Sequence, residues 1–272
     1  LDIIVQTFEK DQTMKTMKPI CGSICLIAAS PNGIEKLTSY ADRILHRLCD
    51  ILKQNTKDID NSYLFRYLWT LRMLLEKNIV SPESNECEDI APYLAIIFST
   101  PDPRNILLSI SIFILIPNTI LQSLNSIQYA LQDKNFEDHI INGFAQLISL
   151  GAEHDISQVE KALISLVESE YAKGARQESN EITQNIAYVI GFVSGQYQDI
   201  REKLLQDFEQ KIVNPTNLAT LPFALKCVGE IGALIDLSDK TQLIDSVFQL
   251  IGHSNREVFN AAAECIGLLA TG

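Results

Sequence analysis

The stretch "CVGEIG", Cys227 to Gly232, lies in the middle of the apolar run "ALKCVGEIGALIDLSD" (Ala224 to Asp239) and puts two glycines inside an otherwise helical pattern. An interior glycine costs a helix about 0.5–1 kcal/mol relative to alanine, so the pair needs an offsetting reason. Repetition supplies one. The segment overlays "CIGLLA" (Cys265 to Ala270) and "VIGFVS" (Val189 to Ser194), which sets Gly191, Gly229 and Gly267 at two successive intervals of 38 residues. A weaker copy, "ICGSIC" (Ile20 to Cys25), carries Gly22. Two further segments, "TLRMLLEKN" (Thr70 to Asn78) and "FAQLISLG" (Phe144 to Gly151), keep the helical pattern and lose the glycine. Gly232 is matched only by Ser194 and Ala270, so smallness alone is shared there.

The rest of the chain has the same helical character. "EKALISLVESEY" places Leu163, Leu166, Val167 and Tyr171 at spacings of three and four, with Glu160, Lys161, Glu168 and Glu170 between them. "REKLLQDFEQKI" does so with Leu204, Leu205, Phe208 and Ile212, and "KTQLIDSVFQLI" with Leu243, Ile244, Val247, Phe248 and Ile251. No run alternates as a strand would. Breaks recur at Pro31-Asn32-Gly33, Asn55 to Asp58, Ser81-Pro82, Pro101-Asp102-Pro103, Asn214-Pro215 and Ser254-Asn255. Short helices, brief turns and a fixed period of this size predict an all-α solenoid of HEAT/armadillo-like helix pairs. The expectation is about seven repeats of roughly 38 residues in one continuous array over residues 1–272, an internal section of a longer protein. The second helix of each pair then passes close to its partner and to the next repeat. A bare glycine lets axes approach below the usual separation of about 8–10 Å. A phosphate-binding glycine loop does not fit, because the preceding strand, the third glycine and a following Lys-Ser or Lys-Thr are all missing.

Composition narrows the function. The chain has 272 residues, 46% hydrophobic and 21% charged, with a net charge of −12. That charge opposes phosphate-backbone binding and permits a basic protein partner. The most apolar segment, Ile106 to Ile116, ends at Pro117 and is far shorter than the roughly 20 residues of a membrane span, so a buried helix is expected. Neither nucleic acid nor membrane is an expected partner, and a monomer is the expected state. The six cysteines, at 21, 25, 49, 87, 227 and 265, lack the spacing of a zinc set or a disulfide framework and read as core thiols.

Catalytic patterns are scarce. His46, His139, His154 and His253 stand apart, without an HExxH pair or a GxSxG elbow, and read as exposed side chains. The acidic stretch "PESNECEDIAP" (Pro82 to Pro92) lacks calcium-loop spacing and reads as a loop that starts a helix. No catalytic, metal or cofactor site is predicted, and the chain reads as a non-enzyme. In repeat register, Gln184 aligns with Pro222 and Asn260, Tyr188 with Lys226 and Glu264, and Phe192 with Glu230 and Leu268. These positions lie off the apolar stripe of the second helix, which in solenoids lines the ligand-binding surface. Gln184, Tyr188, Lys226, Glu230, Asn260 and Glu264 are therefore the candidate partner-binding residues.

The same residues carry a family likeness. "ALKCVGEIGALIDLSDKTQL", followed by "NREVFNAAAECIGLLATG", resembles the C-terminal half of the cullin-associated, neddylation-dissociated proteins, also described as TATA-binding-protein-interacting proteins. "ICLIAASPNGI" (Ile24 to Ile34) is similar to a turn of that family, with "LRMLLEKN" at a compatible distance after it. The likeness is specific over 224–272, moderate over 20–80 and weak over 85–180, as in a divergent homologue. It implies a cytoplasmic or nuclear protein that wraps a cullin with its RING subunit when the cullin lacks its ubiquitin-like modification. It also implies competition with the substrate-receptor adaptor, and hence receptor exchange in SCF-type ubiquitin ligases. The residues alone leave other HEAT-type scaffolds open, such as a nuclear-transport receptor or a phosphatase scaffold.

Overall fold

A computed structural model describes residues 1–10, 14–55, 61–173 and 180–272. Among them no strand forms, and fifteen α-helices follow one another. They are α1 Asp2–Lys10, α2 Met14–Ala28, α3 Pro31–Thr38, α4 Ala41–Asn55, α5 Asn61–Glu76, α6 Asn85–Ile96, α7 Pro103–Leu115 and α8 Ile120–Asp133. The remainder are α9 Asp138–His154, α10 Ile156–Lys173, α11 Asn180–Gln196, α12 Gln198–Val213, α13 Leu221–Gly232, α14 Thr241–Leu250 and α15 Arg256–Leu269. Leaving out the short α3, they fall in chain order into seven pairs, the number the period predicts. The fold is an all-α array of HEAT/armadillo-like repeats.

Local chemistry sets the helix boundaries. Ser30 caps α3 by accepting from the Gly33 backbone N–H at 3.1 Å, with Pro31 at the first helical position. The turn is therefore Ala29-Ser30, and Pro31-Asn32-Gly33 belongs to the helix rather than to the break expected there. Asp102 caps α7 ahead of Pro103, Ser84 caps α6, and Asn255 caps α15. Asn78, with φ of 54°, takes the left-handed conformation that closes α5 just past its last turn. Of the predicted break at Asn55 to Asp58, all but Asn55 lies outside the described residues. Ile106 to Ile116, which runs through α7 to the residue just past its end, is largely buried as expected, although Ile114 is exposed. No single described helix is long and apolar enough to cross a membrane.

Contacts gather into two units, Leu1–Ile127 and Gln128–Gly272, and α8 carries the chain from one to the other. In the first, α1, α4 and α6 pack as one layer and α2, α5 and α7 as the other. In the second, α9, α11, α13 and α15 stack in sequence as an inner layer, with α10, α12 and α14 packed against them. The cores are aliphatic: Val189, Ile190 and Val193 of α11, Val228 and Ile231 of α13, and Ala261, Ala262 and Cys265 of α15 are buried. Burying one Val or Ile side chain contributes about 1.5–3 kcal/mol. The outer helices follow their predicted stripes with exceptions. Leu204, Leu205, Phe208 and Ile212 are buried, whereas Phe248 and Ile251 face outward, and Glu170 is drawn inside with Lys173 and Thr183 as partners at 2.7 and 3.0 Å.

The repeated glycines lie where inner helices touch. A methyl group added at Gly191 would stand 2.5 Å from Glu230 Cβ and 2.9 Å from its backbone carbon. At Gly229 it would meet Cys265 Cα at 3.0 Å and Leu268 Cδ1 at 3.0 Å. These close approaches join successive inner helices; no atom of the first helix of the same pair is among the nearest. At Gly232 the obstacle is the flexible end of Leu269, at 2.3 Å. Gly22 and Gly267 have nothing within 4 Å.

A graded response to alanine follows. Gly191→Ala should lower stability by about 1–3 kcal/mol through overpacking against backbone. Gly229→Ala should cost less, since its neighbours stand no nearer than 3.0 Å, so Cys265 need give only slightly and the Leu268 end can rotate away. Gly267→Ala should raise stability by up to about 1 kcal/mol through helix propensity alone. Urea midpoints of the three variants measure this, and equal responses would contradict it.

Candidate partner-binding site

Close inner helices bring their flanking polar side chains within reach of one another. Gln184 of α11 donates from Nε2 to Glu230 Oε1 of α13 at 2.6 Å, and its Oε1 accepts from Lys226 Nζ at 2.7 Å. Lys226 also approaches Glu264 Oε2 of α15 at 3.4 Å. Four of the six predicted residues thus form one network across three successive helices, beside an open groove that Glu181 and Leu268 also line.

The other two stand apart from it. Tyr188 donates its hydroxyl to Asn142 Oδ1 of α9 and packs at 6.3 Å beside Phe192. Asn260 is exposed on α15 and, among the described residues, joins none of these bonds. Of the six, only Lys226 and Glu264 pair at the repeat interval itself. Gln184 reaches 42 and 46 residues along, and Tyr188 reaches 46 back, because long side chains extend one and two turns past the crossing. Asn142 and Glu181 escaped the sequence reading for this reason. They become visible only when the interval is widened by one or two helical turns.

Burial differs from the expected solvent face. Lys226 is only 7% exposed, inside rather than off the apolar stripe, and its ammonium is held by Gln184 and Glu264. Glu230 is half-buried, and desolvation pushes its carboxyl above the ordinary range against the pulls of the Gln184 hydrogen bond and the Lys226 charge. Tyr188 is raised first by burial and then by the Glu230 and Asp138 charges. Burial also holds the neighbouring Cys227 thiol well up, which makes it a poor nucleophile.

Nothing catalytic assembles at the groove from the predicted residues. His46, His139 and His154 are exposed on α4 and α9, and His253 is half-buried in a turn where its Nδ1 accepts from the Asn255 N–H at 3.1 Å. Among the described residues no group of His, Cys, Asp and Glu side chains could hold a metal ion. Five cysteines are buried, and the half-buried Cys25 sits 3.6 Å from Thr70 Oγ1.

No protein-family model matches this chain, and no curated protein matches it. Among solved structures it is similar to a designed armadillo repeat protein in complex with the peptide (KR)4, at 14% identity over 99% of both chains, with a TM-score of 0.33. It is also similar to an engineered protein at 13% identity over 100% of this chain and 78% of that one, with a TM-score of 0.40. Both scores fall below 0.5, so the fold assignment rests on the helix pairing described above.

The raised Glu230 carboxyl has a thermodynamic consequence. A carboxyl raised in the folded state binds its proton more tightly there than when unfolded, so its contribution to stability falls as pH rises through that range. Glu230→Gln should therefore be more stable than the natural protein at neutral pH. The advantage should vanish as pH falls into the ordinary glutamate range. Thermal melts across pH test this, and an advantage that grows toward acid would contradict it.

Proposed function

We propose that this chain is a non-catalytic protein-binding scaffold whose partner lies along the inner layer of α9, α11, α13 and α15. The observation that carries this reading is the network of Gln184, Lys226, Glu230 and Glu264, set beside an open groove and fixed across three helices by 2.6–3.4 Å contacts. Side chains held in place before binding lose less conformational freedom on association, and this favours recognition. Helix-repeat arrays present extended surfaces of this kind to proteins and peptides.

The finer reading takes the partner to be a cullin with its RING subunit, free of the ubiquitin-like modification. Its support is the likeness of residues 224–272, and more weakly of 20–80, to the cullin-associated, neddylation-dissociated proteins. Such a scaffold acts in the cytoplasm or nucleus by competing with the substrate-receptor adaptor for the cullin. Gly229, in the segment that carries the likeness, is also one of the glycines at the helix crossing.

The test is a pull-down of purified cullin–RING complex, with and without the modification, on the immobilised protein. Recovery of the unmodified complex in clear excess is expected, and it should fall on Glu230→Lys. Equal recovery of both forms, or recovery of the modified form alone, would overturn the cullin reading.

A further inference from the structure

The α2–α5–α7 layer of the first unit carries charge opposite to the chain's own. The sequences of α2 and α7 contain no Asp or Glu, and α5 contains a single one, Glu76, at its last position. The whole chain meanwhile carries a net charge of −12. Against this carboxylate-poor layer stand Arg66 and Arg72 on α5 and Arg104 on α7, gathered around two aromatic rings. Phe65 and Trp69 lie stacked at 6.0 Å with an interplanar angle of 21°. Arg66 and Arg104 sit 5.9 and 5.5 Å from the Phe65 ring centre, and Arg72 sits 5.6 Å from that of Trp69.

The surface is open and partly apolar. Trp69, the chain's only tryptophan, is 40% exposed. On the adjoining α2, Leu26 is 77% exposed, one residue beyond the Cys25 contact with Thr70 of α5. Two of the guanidiniums already show what they bind. Arg104 grips Asp102 through two nitrogens at 2.8 and 3.1 Å, and Arg72 lies 3.6 Å from Glu76. Arg66 is exposed, rests on its ring and, among the described residues, holds no carboxylate.

From this charge complementarity we infer that the α2–α5–α7 face is a docking surface for an acidic linear peptide of a partner protein. Arg66 takes a carboxylate of the peptide, and an apolar residue of the peptide settles against Trp69 and Leu26. Guanidinium pairs with carboxylate through charge-assisted hydrogen bonds, and its stacking on an aromatic ring fixes the fork in advance. A single-stranded nucleic acid fits less well. It needs free ring faces for its bases, whereas here each ring has a guanidinium near its centre and another ring beside it. The chain's overall charge would also repel a polyphosphate. The inference rests on the reading of the chain as a binding scaffold, but not on the cullin assignment.

Fluorescence anisotropy on the intact chain tests it. The probe is a labelled peptide about a dozen residues long, with Glu and Asp flanking a central Leu-Phe pair. Saturable binding is expected, weakened about tenfold or more by Arg66→Glu and by added salt. A peptide with Lys replacing every acid should not bind. Absence of binding by the acidic peptide, or binding unchanged in Arg66→Glu, would overturn the proposal. Tighter binding of an oligothymidylate that Arg66→Glu abolishes would overturn it as well, in favour of nucleic acid. Cullin recovery without peptide binding defeats this inference alone, and peptide binding without cullin recovery defeats only the cullin reading.

Discussion

The close crossing of successive inner helices in the second unit is the constraint on which much else depends. Two helix axes cannot come this near with side chains between them, and Gly191 and Gly229 remove the obstruction at the points of contact. The propensity cost is under about 1 kcal/mol per glycine, while the dispersion and burial recovered along the crossing come from many atom pairs at once. The packing term wins. It also fixes the register, since a shift of one residue would drive Glu230 Cβ into a side chain.

Once the backbones are this close, the polar residues beside the crossing must find partners in one another. Lys226 loses nearly all contact with water and takes an amide and a carboxylate instead. Glu230 accepts a hydrogen bond from Gln184 yet remains held back from ionising by its burial. A buried, mutually bonded set of this kind is high-stakes, because removing one member leaves another desolvated without its partner. Rigidity at the groove therefore comes from the same source as stability.

Much of the fold was legible in the sequence. The interval between Gly191, Gly229 and Gly267 gave the repeat size, and the apolar spacing in 160–171 and 201–212 gave most of the buried faces of α10 and α12. Exposure at Phe248 and Ile251 was not legible, because periodicity identifies an apolar face but not what covers it. Site residues were legible in kind and misplaced in detail. A fixed interval predicts neighbours one repeat apart, whereas glutamine, tyrosine and glutamate reach one or two turns further. The arginine and aromatic face of α5 left a trace in the spacing of Phe65, Arg66, Trp69 and Arg72. Its meaning depends on Arg104, which only the packing of α7 brings alongside.

Native-state hydrogen exchange, resolved helix by helix, tests the central claim most directly. If the glycine crossings hold the second unit together, backbone amides around Gly191 and Gly229 should exchange only through the largest unfolding opening of that unit, with α12 and α14 exchanging earlier. Amides of α11 and α13 that exchange ahead of the outer helices would contradict the account.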